Sequence, residues 1–300
     1  MRVLLTGATG FIGGHLAARL AGRGDEVVPV ARRSPGPGEV GLDLEAGQLD
    51  LSRLESGTLE GIDASVHLAG APIIGRWSAG RREEIMASRV GVGHLVARQL
   101  AALSRRPRVH VTGSAIGYYG ERGEELLEEA SPPGSGFLPD VCRAWEEAAA
   151  PAAAAGIRTV AVRTGIVLGR GGALGAQLPL FKAGLGGRLG SGRQWMSWIS
   201  LEDEVSAILA ALDDEALSGP VNAVAPAPVR NSEFTATLAR LVHRPALLAV
   251  PSPLLRAALG AGPADEMLLA SQKVAPAALE RAGFSFAQPE LEGALRAALA

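Results

Sequence analysis

The run Thr6-Gly7-Ala8-Thr9-Gly10-Phe11-Ile12-Gly13 repeats glycine at every third position between an apolar run, Val3-Leu4-Leu5, and a helical pattern, Ile12, Leu16 and Leu20. A strand, a glycine-rich turn and a helix in that order can hold the pyrophosphate of a dinucleotide. One glycine permits the tight turn. A second lets the backbone approach the phosphates with no Cβ in the way, and the third lets helix and strand pack closely. The N–H groups at the helix start then face the anion, and the helix dipole adds to the attraction. Gly7, Thr9, Gly10, Phe11, Ile12 and Gly13 are therefore cofactor-binding candidates; a tight strand-to-helix turn without a ligand is the alternative.

Choice between dinucleotides is expected at the end of the next strand. NAD-selective sites place Asp or Glu there, whereas arginine suits a 2′-phosphate. This sequence has Val30-Ala31-Arg32-Arg33, with no acid. Guanidinium is the natural partner of phosphate, so Arg32 and Arg33 point to NADP, two solvated surface arginines being the alternative. Asp43 follows a short apolar stretch and is placed to close over the adenine. Leu68-Ala69-Gly70 ends a later strand, where small residues let the backbone approach the cofactor.

The elements that must position these residues can be read from periodicity. Strand candidates Val3–Thr6, Glu26–Ala31, Val66–Ala69, Val109–Thr112 and Thr159–Arg163 alternate with helical patterns around Ile12–Arg23, Arg82–Leu103 and Phe137–Ala155. That alternation predicts an α/β fold, a doubly wound parallel sheet of the Rossmann type with both faces covered. Pro29 falls inside the second strand, at odds with a central position there. After Arg163 the rhythm breaks into a glycine-rich stretch holding a helical piece, Gln177–Ala183. Strand-like Gln194–Ile199, a helix over Leu201–Leu212, a strand over Val221–Ala225 and a helix capped by Asn231 follow. The expected organisation is an NADP-binding domain over 1–170 and a smaller C-terminal substrate lobe over 171–300, which returns a strand near 220–225 to the large sheet.

Composition excludes several classes. Three hundred residues bury a sizeable core without staples. A net charge of −2 leaves no nucleic-acid footprint. The single cysteine, Cys142, rules out an intramolecular disulfide and a thiol-rich metal site. His15, His67, His94, His110 and His243 show no ligand spacing, so no metal is expected. With no membrane-length apolar run and a strand at the very start, the sequence reads as a cytoplasmic protein with no membrane partner, free to oligomerise.

Gly7-x-x-Gly10-x-x-Gly13, His67-Leu68-Ala69-Gly70 and Tyr119-Gly120 resemble the extended short-chain dehydrogenase/reductases, which include nucleotide-sugar epimerases and dehydratases. Arg163-Thr164-Gly165-Ile166-Val167-Leu168-Gly169, Gly190-Ser191-Gly192, Gln194-Trp195-Met196-Ser197-Trp198-Ile199 and Ala270-Ser271-Gln272-Lys273-Val274 are similar to its atypical "epimerase family" branch, SDR39U1-like, across essentially the whole chain. The resemblance implies a tyrosine that moves a proton, a lysine four residues later that lowers its pKa, and an upstream hydroxyl. A phenol near its ordinary value of about 10 is a poor base at neutral pH without such a cation. Here the only tyrosines are Tyr118 and Tyr119, and neither has a lysine four residues on. By position the pair falls at Leu138 and Cys142.

The resemblance leaves Ser114, where the family's hydroxyl belongs, with Tyr118 and Tyr119 on the loop after it, as candidate catalytic groups; packing of both tyrosines at the lobe interface is the alternative. It also brings Arg89, and more weakly Glu84, on the helix after the Val66 strand within reach of a cofactor phosphate or ribose, or else onto a solvated helix face. Leu168 is expected to brush the nicotinamide through its backbone. Trp195 and Trp198 could stack a base or sugar, or fill a core. Glu121, Glu124, Glu125, Glu128 and Glu129 read as a solvated acidic loop. Lys182, Arg188 and Arg193 would suit an anionic substrate or be solvated.

Two functions follow. One is an NADP(H)-dependent oxidoreductase or nucleoside-diphosphate-sugar epimerase with a rearranged catalytic group, acting on a small molecule between the lobes. The other is a catalytically silent NADP(H)-binding sensor or scaffold, in line with relatives linked to cell or plastid division.

Overall fold

Val3, Leu4 and Leu5 are all fully buried, Val3 and Leu5 in one apolar cluster and Leu4 in another. Successive residues of a strand point to opposite faces, so a strand that is apolar on both must be covered on both. The computed structural model, described over residues 1–31, 36–43, 48–52 and 58–300, places this strand at the centre of an eight-stranded sheet. Its strands are β1 Arg2–Thr6, β2 Glu26–Ala31, β3 Val40–Asp43, β4 Gln48–Asp50, β5 Ala64–His67, β6 Val109–Ala115, β7 Arg158–Thr164 and β8 Gly219–Ala223. They lie in the order β8-β7-β6-β5-β1-β2-β3-β4, every pair parallel except β3 with β4. This is the doubly wound Rossmann-type sheet that the alternation predicts. The chain builds outward from β1 on one side, returns at β5 and builds outward on the other. The carboxyl ends of β1 and β5 therefore flank the topological switch point, where open α/β sheets bind ligands.

Helix α1, Phe11–Gly22, covers one face with Leu16 and Leu20. The helical pattern after β5 is realised in three pieces: α2 Ala79–Met86, a π-helical turn Ala87–Gly91, and α3 Val92–Ala101. The pattern over Phe137–Ala155 splits into α4, Phe137–Glu147, and α5, Ala150–Ala154. Pro151 explains the break. It has no N–H to give and its ring crowds the carbonyl one turn back, so the helix stops and restarts with proline in a first turn. Pro29 is accommodated because pairing of β2 with β3 begins only at Val30.

The second half does not separate cleanly at residue 170. Strand β8 pairs with β7, Gly219 opposite Val160 through Ala223 opposite Thr164, as expected for the returning strand. Helix α6 is Gly172–Lys182 and α7 is Leu201–Asp213. On α7, Val205, Ile208 and Leu212 share one core with Leu16 and Leu20 of α1. A further core joins Leu168, Phe181, Trp198, Phe234, Leu238 and Leu295. Trp198 is thus core, its Nε1 donating to the Ala227 carbonyl at 3.0 Å. Asn231 is not the helix cap: Arg230 holds that position, while Asn231 is buried and accepts from the Leu189 N–H at 2.8 Å. Among the described residues no helix is long and apolar enough to cross a membrane, and no His/Cys/Asp/Glu group could hold a metal ion.

Candidate functional site

The glycine turn lies at the switch point, and each glycine is required for a different reason. Gly7 has φ +77°, and a Cβ there would lie 2.9 Å from the Leu68 carbonyl carbon and 3.0 Å from the Ala69 nitrogen. Its absence lets the turn after β1 press against Leu68-Ala69 after β5. At Gly13 a Cβ would lie 2.1 Å from the Gly7 carbonyl oxygen, so only glycine lets α1 start this close to the turn. Gly10 closes the turn by donating its N–H to that oxygen at 2.9 Å. It is the N-cap of α1, with φ −78°, no capping side chain and no acid in the first turn.

Thr9 and Gly10 are exposed, as is Gly70 across the crevice. An uncapped helix start opening onto solvent beside bare backbone fits a dinucleotide pyrophosphate. Phe11 anchors the helix start: a Cβ at Gly169 or Gly171 would come within 2.6 Å of its ring. Ile12 packs against the α1–α7 core. Leu168 is buried in the strand pair Ile166–Leu168 with Trp198–Ser200, and lines a cleft of about 580 Å³ with Phe11 and Gly169. Asp43 ends β3; Arg32 and Arg33 lie outside the described residues.

A chain of hydrogen bonds fixes the two walls to each other. The Ala69 N–H donates to Thr6 Oγ1 at 3.1 Å, and Thr6 Oγ1 lies 2.7 Å from His67 Nδ1. His67 Nε2 lies 3.0 Å from the Arg89 carbonyl. A carbonyl can only accept, so Nε2 carries the proton and Nδ1 accepts from the Thr6 hydroxyl. Burial pushes His67 down to about 4, keeping it neutral at physiological pH. The unfolded chain then binds more protons than the fold between pH 6.5 and 4, so this residue's contribution is lost as pH falls through that window, by at most about 3 kcal/mol. His110, pushed down to about 3 by burial, acts in the same sense. Glu204, pushed up to about 8 by burial, acts in the opposite one. Urea unfolding at pH 7 and pH 4 should therefore give a smaller drop in stability for His67→Gln than for the wild type; equal drops would remove His67 from the account.

Arg89 reaches the same crevice from the π-helical turn. Its Nη1 donates to the Ala71 carbonyl at 3.0 Å and the Ile85 carbonyl at 3.2 Å, and its guanidinium lies 5.0 Å from the Trp145 ring. A Cβ at Gly70 would come within 2.8 Å of it. No carboxylate pairs with Arg89 among the described residues, so a half-buried cation stands beside bare backbone at the switch point. Glu84 sits on the exposed side of α2, ion-paired with Arg81.

The groups around β6 form a different network from the expected one. Ser114 is buried, and its hydroxyl donates to Glu146 Oε1 at 2.6 Å. Glu146 is held in turn by Arg163, whose Nε and Nη2 reach its two oxygens at 2.8 and 2.9 Å. Arg163 is 3% exposed. Burial alone would lower its pKa, but the Glu146 hydrogen bonds and charge raise it above the ordinary value. Its guanidinium stacks 3.5 Å from the Tyr118 ring centre and donates to the Tyr119 hydroxyl at 3.0 Å.

Tyr119 corrects the expectation of a phenol facing substrate. It is fully buried, its hydroxyl 2.6 Å from Asn222 Oδ1, and burial raises its pKa. Tyr118 is half-buried, with no hydrogen-bond partner for its hydroxyl among the described residues. Leu138 and Cys142 turn toward Gly117, where a Cβ would lie 3.5 and 3.7 Å from them; burial first, then Glu146, pushes the Cys142 thiol up to about 12.

Glu146 and Arg163 were not among the candidates read from the sequence. The available signal was an arginine ending an otherwise apolar strand, with a glutamate one helical turn beyond Cys142. The acidic loop also needs correction. Glu129 is buried and accepts from the Asn222 and Ala278 N–H groups at 3.1 and 2.9 Å. Glu124 takes Arg230 at 2.7 Å and the Trp195 indole at 2.9 Å. Trp195 itself lies between Arg230 and Lys273, at 4.0 and 4.8 Å.

The model of the NAD dependent epimerase/dehydratase family matches residues 3–223, and a domain of unknown function, DUF1731, matches 250–298. An epimerase family protein of Mycobacterium tuberculosis is 42% identical over 287 residues, covering 95% of this chain and 93% of that protein. The human epimerase family protein SDR39U1 is 37% identical over 301 residues, covering 99% of each chain. The crystal structure of human SDR39U1 (isoform 2) with NADPH is similar with a TM-score of 0.89, at 34% identity and 99% coverage of each chain.

Proposed function

Since the chain belongs to the NAD dependent epimerase/dehydratase family, in its SDR39U1-like branch, we propose that it binds NADP(H) at the switch point and presents it to a small molecule, of the nucleoside-diphosphate-sugar type, held between the lobes. The observation that carries this reading is the open, uncapped glycine turn packed on Leu68-Ala69 after β5, with the Arg89 guanidinium, which has no carboxylate partner among the described residues, beside Gly70. Gly7, Thr9, Gly10, Phe11, Ile12 and Gly13 form the pyrophosphate site: Gly7 and Gly10 shape the turn, whose Gly10 N–H is already given to the Gly7 carbonyl, and the N–H groups at the start of α1 face the phosphates. Leu68, Ala69 and Gly70 form the opposite wall, with Arg89 beside them. Arg32 and Arg33 select the 2′-phosphate, as the NADPH of the human structure suggests. Asp43, Glu84 and Leu168 are the outlying contacts of the same cofactor. When bound, NADPH would supply a hydride and NADP⁺ would accept one. Ser114 and Tyr118 are the hydroxyls nearest in role to the family's proton-moving groups.

A second reading is favoured by one observation: α4 turns Leu138 and Cys142, not a phenol and an ammonium, toward the end of β6. A protein that binds NADP(H) and reports it through its surface needs neither. Turnover separates the two. Epimerisation of UDP-hexoses with NADP⁺ and oxidation of NADPH by simple carbonyls are both expected to be slow or absent in the wild type, and Leu138→Tyr with Cys142→Lys is expected to raise the second, because a phenol needs a neighbouring cation to move a proton near neutrality. Fast wild-type turnover would defeat the claim of a missing pair and make Ser114 and Tyr118 the residues to replace.

A further inference from the structure

Seven large apolar side chains among the described residues are more than half exposed, and five of them lie together: Leu180, Leu185, Leu247, Leu248 and Leu254. Single exposed leucines need no explanation, but a group of them marks a contact surface. Backbone contacts fix the group. Leu180 is in the last turn of α6, and its carbonyl accepts from the Leu185 N–H at 2.9 Å. The short strand Gly187–Leu189 follows and pairs in parallel with Leu248–Val250, Gly187 opposite Leu248. Arg244, just ahead of that second strand, donates through Nε to the Lys182 carbonyl at 2.9 Å. Leu254 is on the helix Ser252–Leu259 that leaves it. Leu247 is 91% exposed, so its side chain stands clear of the fold.

The same two stretches carry cations and no acid. No Asp or Glu occurs from 148 to 201 or from 234 to 264, although the chain as a whole has a net charge of −2. Arg240 and Arg256 are taken by Glu292 and Asp265 from outside the stretches. Lys182, Arg188 and Arg244 are exposed, and none pairs with a carboxylate among the described residues; the two arginines reach backbone carbonyls instead. The face thus combines protruding leucines with unneutralised positive charge.

We propose that this face docks on an anionic lipid bilayer, Leu247 and Leu248 entering the headgroup boundary while Lys182, Arg188 and Arg244 meet the headgroups. A bilayer supplies both complements at once, negative charge at its surface and an apolar layer just beneath. It also accepts a leucine that stands clear of the fold without a pocket shaped for it. A second copy of the chain fits less well: pairing the face with itself would set cations against cations with no carboxylate between them. Helix α6 has 11 residues, far short of a bilayer span, so the contact is peripheral. The proposal does not rest on the cofactor reading.

The test is co-sedimentation of the full chain with vesicles of phosphatidylcholine alone and of phosphatidylcholine with about one-third phosphatidylglycerol. It compares wild type, Lys182→Glu with Arg188→Glu, Leu247→Ser with Leu248→Ser, and a remote pair, Arg19→Glu with Arg98→Glu, exposed on α1 and α3. Wild type should bind the anionic vesicles at least about tenfold more tightly than the neutral ones and leave them as salt rises. The first charge pair should weaken that binding at least about tenfold, the leucine pair at least about fivefold, and the remote pair less than about threefold. Thermal melts check each fold; should the double leucine variant melt early, Leu247→Ser alone carries the same expectation. No preference for anionic vesicles, binding unmoved by either variant pair on the face, or an equal loss in the remote pair would overturn the proposal. A wild-type dimer in analytical ultracentrifugation that the leucine pair dissolves would assign the face to a second copy and overturn it too.

Discussion

Arg163→Met is expected to lower the stability of the fold by about 3–5 kcal/mol, the largest loss foreseen for any single side chain outside the apolar cores. The guanidinium is buried with both oxygens of Glu146 paired to it, and it also holds the Tyr119 hydroxyl and the Glu129 carbonyl, the latter at 3.0 Å. Methionine fills the space but leaves the Glu146 carboxylate half-buried without its cation and with only the Ser114 hydroxyl as partner. Most of the cost is that stranded charge. The double variant Arg163→Met, Glu146→Gln should therefore be more stable than Arg163→Met alone. Urea midpoints for the three proteins test this; a double variant less stable than the single one would show that the pair matters through something other than mutual neutralisation.

Gly10→Val is expected to weaken NADPH binding at least about 100-fold, or about 2.8 kcal/mol, while the fold survives. The position is exposed, and its φ of −78° is one that valine can adopt. A Cβ there lies 3.1 Å from the Gly7 oxygen, a contact that a small shift relieves. The cost to the helix is the loss of a tolerated cap, about 1 kcal/mol. The branched side chain, however, stands over the N–H groups that would face the pyrophosphate. Gly7→Val should behave differently and damage the fold itself, since φ is +77° and the Leu68 backbone is 2.9 Å away. Calorimetric titration beside a thermal melt separates the two; normal NADPH binding by Gly10→Val would place the phosphate turn elsewhere.

What could be read in the sequence was local. The turn after β1 depends on a few neighbouring residues, and the strands are legible because Val3, Leu4 and Leu5 are apolar on both faces. Partners far apart in the chain were not. The Tyr119 hydroxyl is taken up by Asn222, 103 residues away, and no local pattern distinguishes that phenol from the one beside it. The glutamates after Tyr119 look solvated until the C-terminal lobe supplies Arg230, Ser271 and Ala278 as their partners. Glu266 caps α4 from a segment 128 residues later than the helix start it holds. The break at Pro151 was visible in principle, since proline sits in the middle of the helical pattern.

The central claim is that the crevice between β1 and β5 binds a dinucleotide and prefers the one with the 2′-phosphate. Parallel titrations of the wild-type protein with NADPH and NADH, followed by energy transfer from the protein's tryptophans to the nicotinamide at one fixed salt concentration, test it most directly. The expected result is saturable NADPH binding with NADH at least about tenfold weaker, because the 2′-phosphate forms charge-assisted bonds that NADH cannot. Equal affinity or an NADH preference would contradict the selection by Arg32 and Arg33, and no saturable signal with either nucleotide would contradict the site itself.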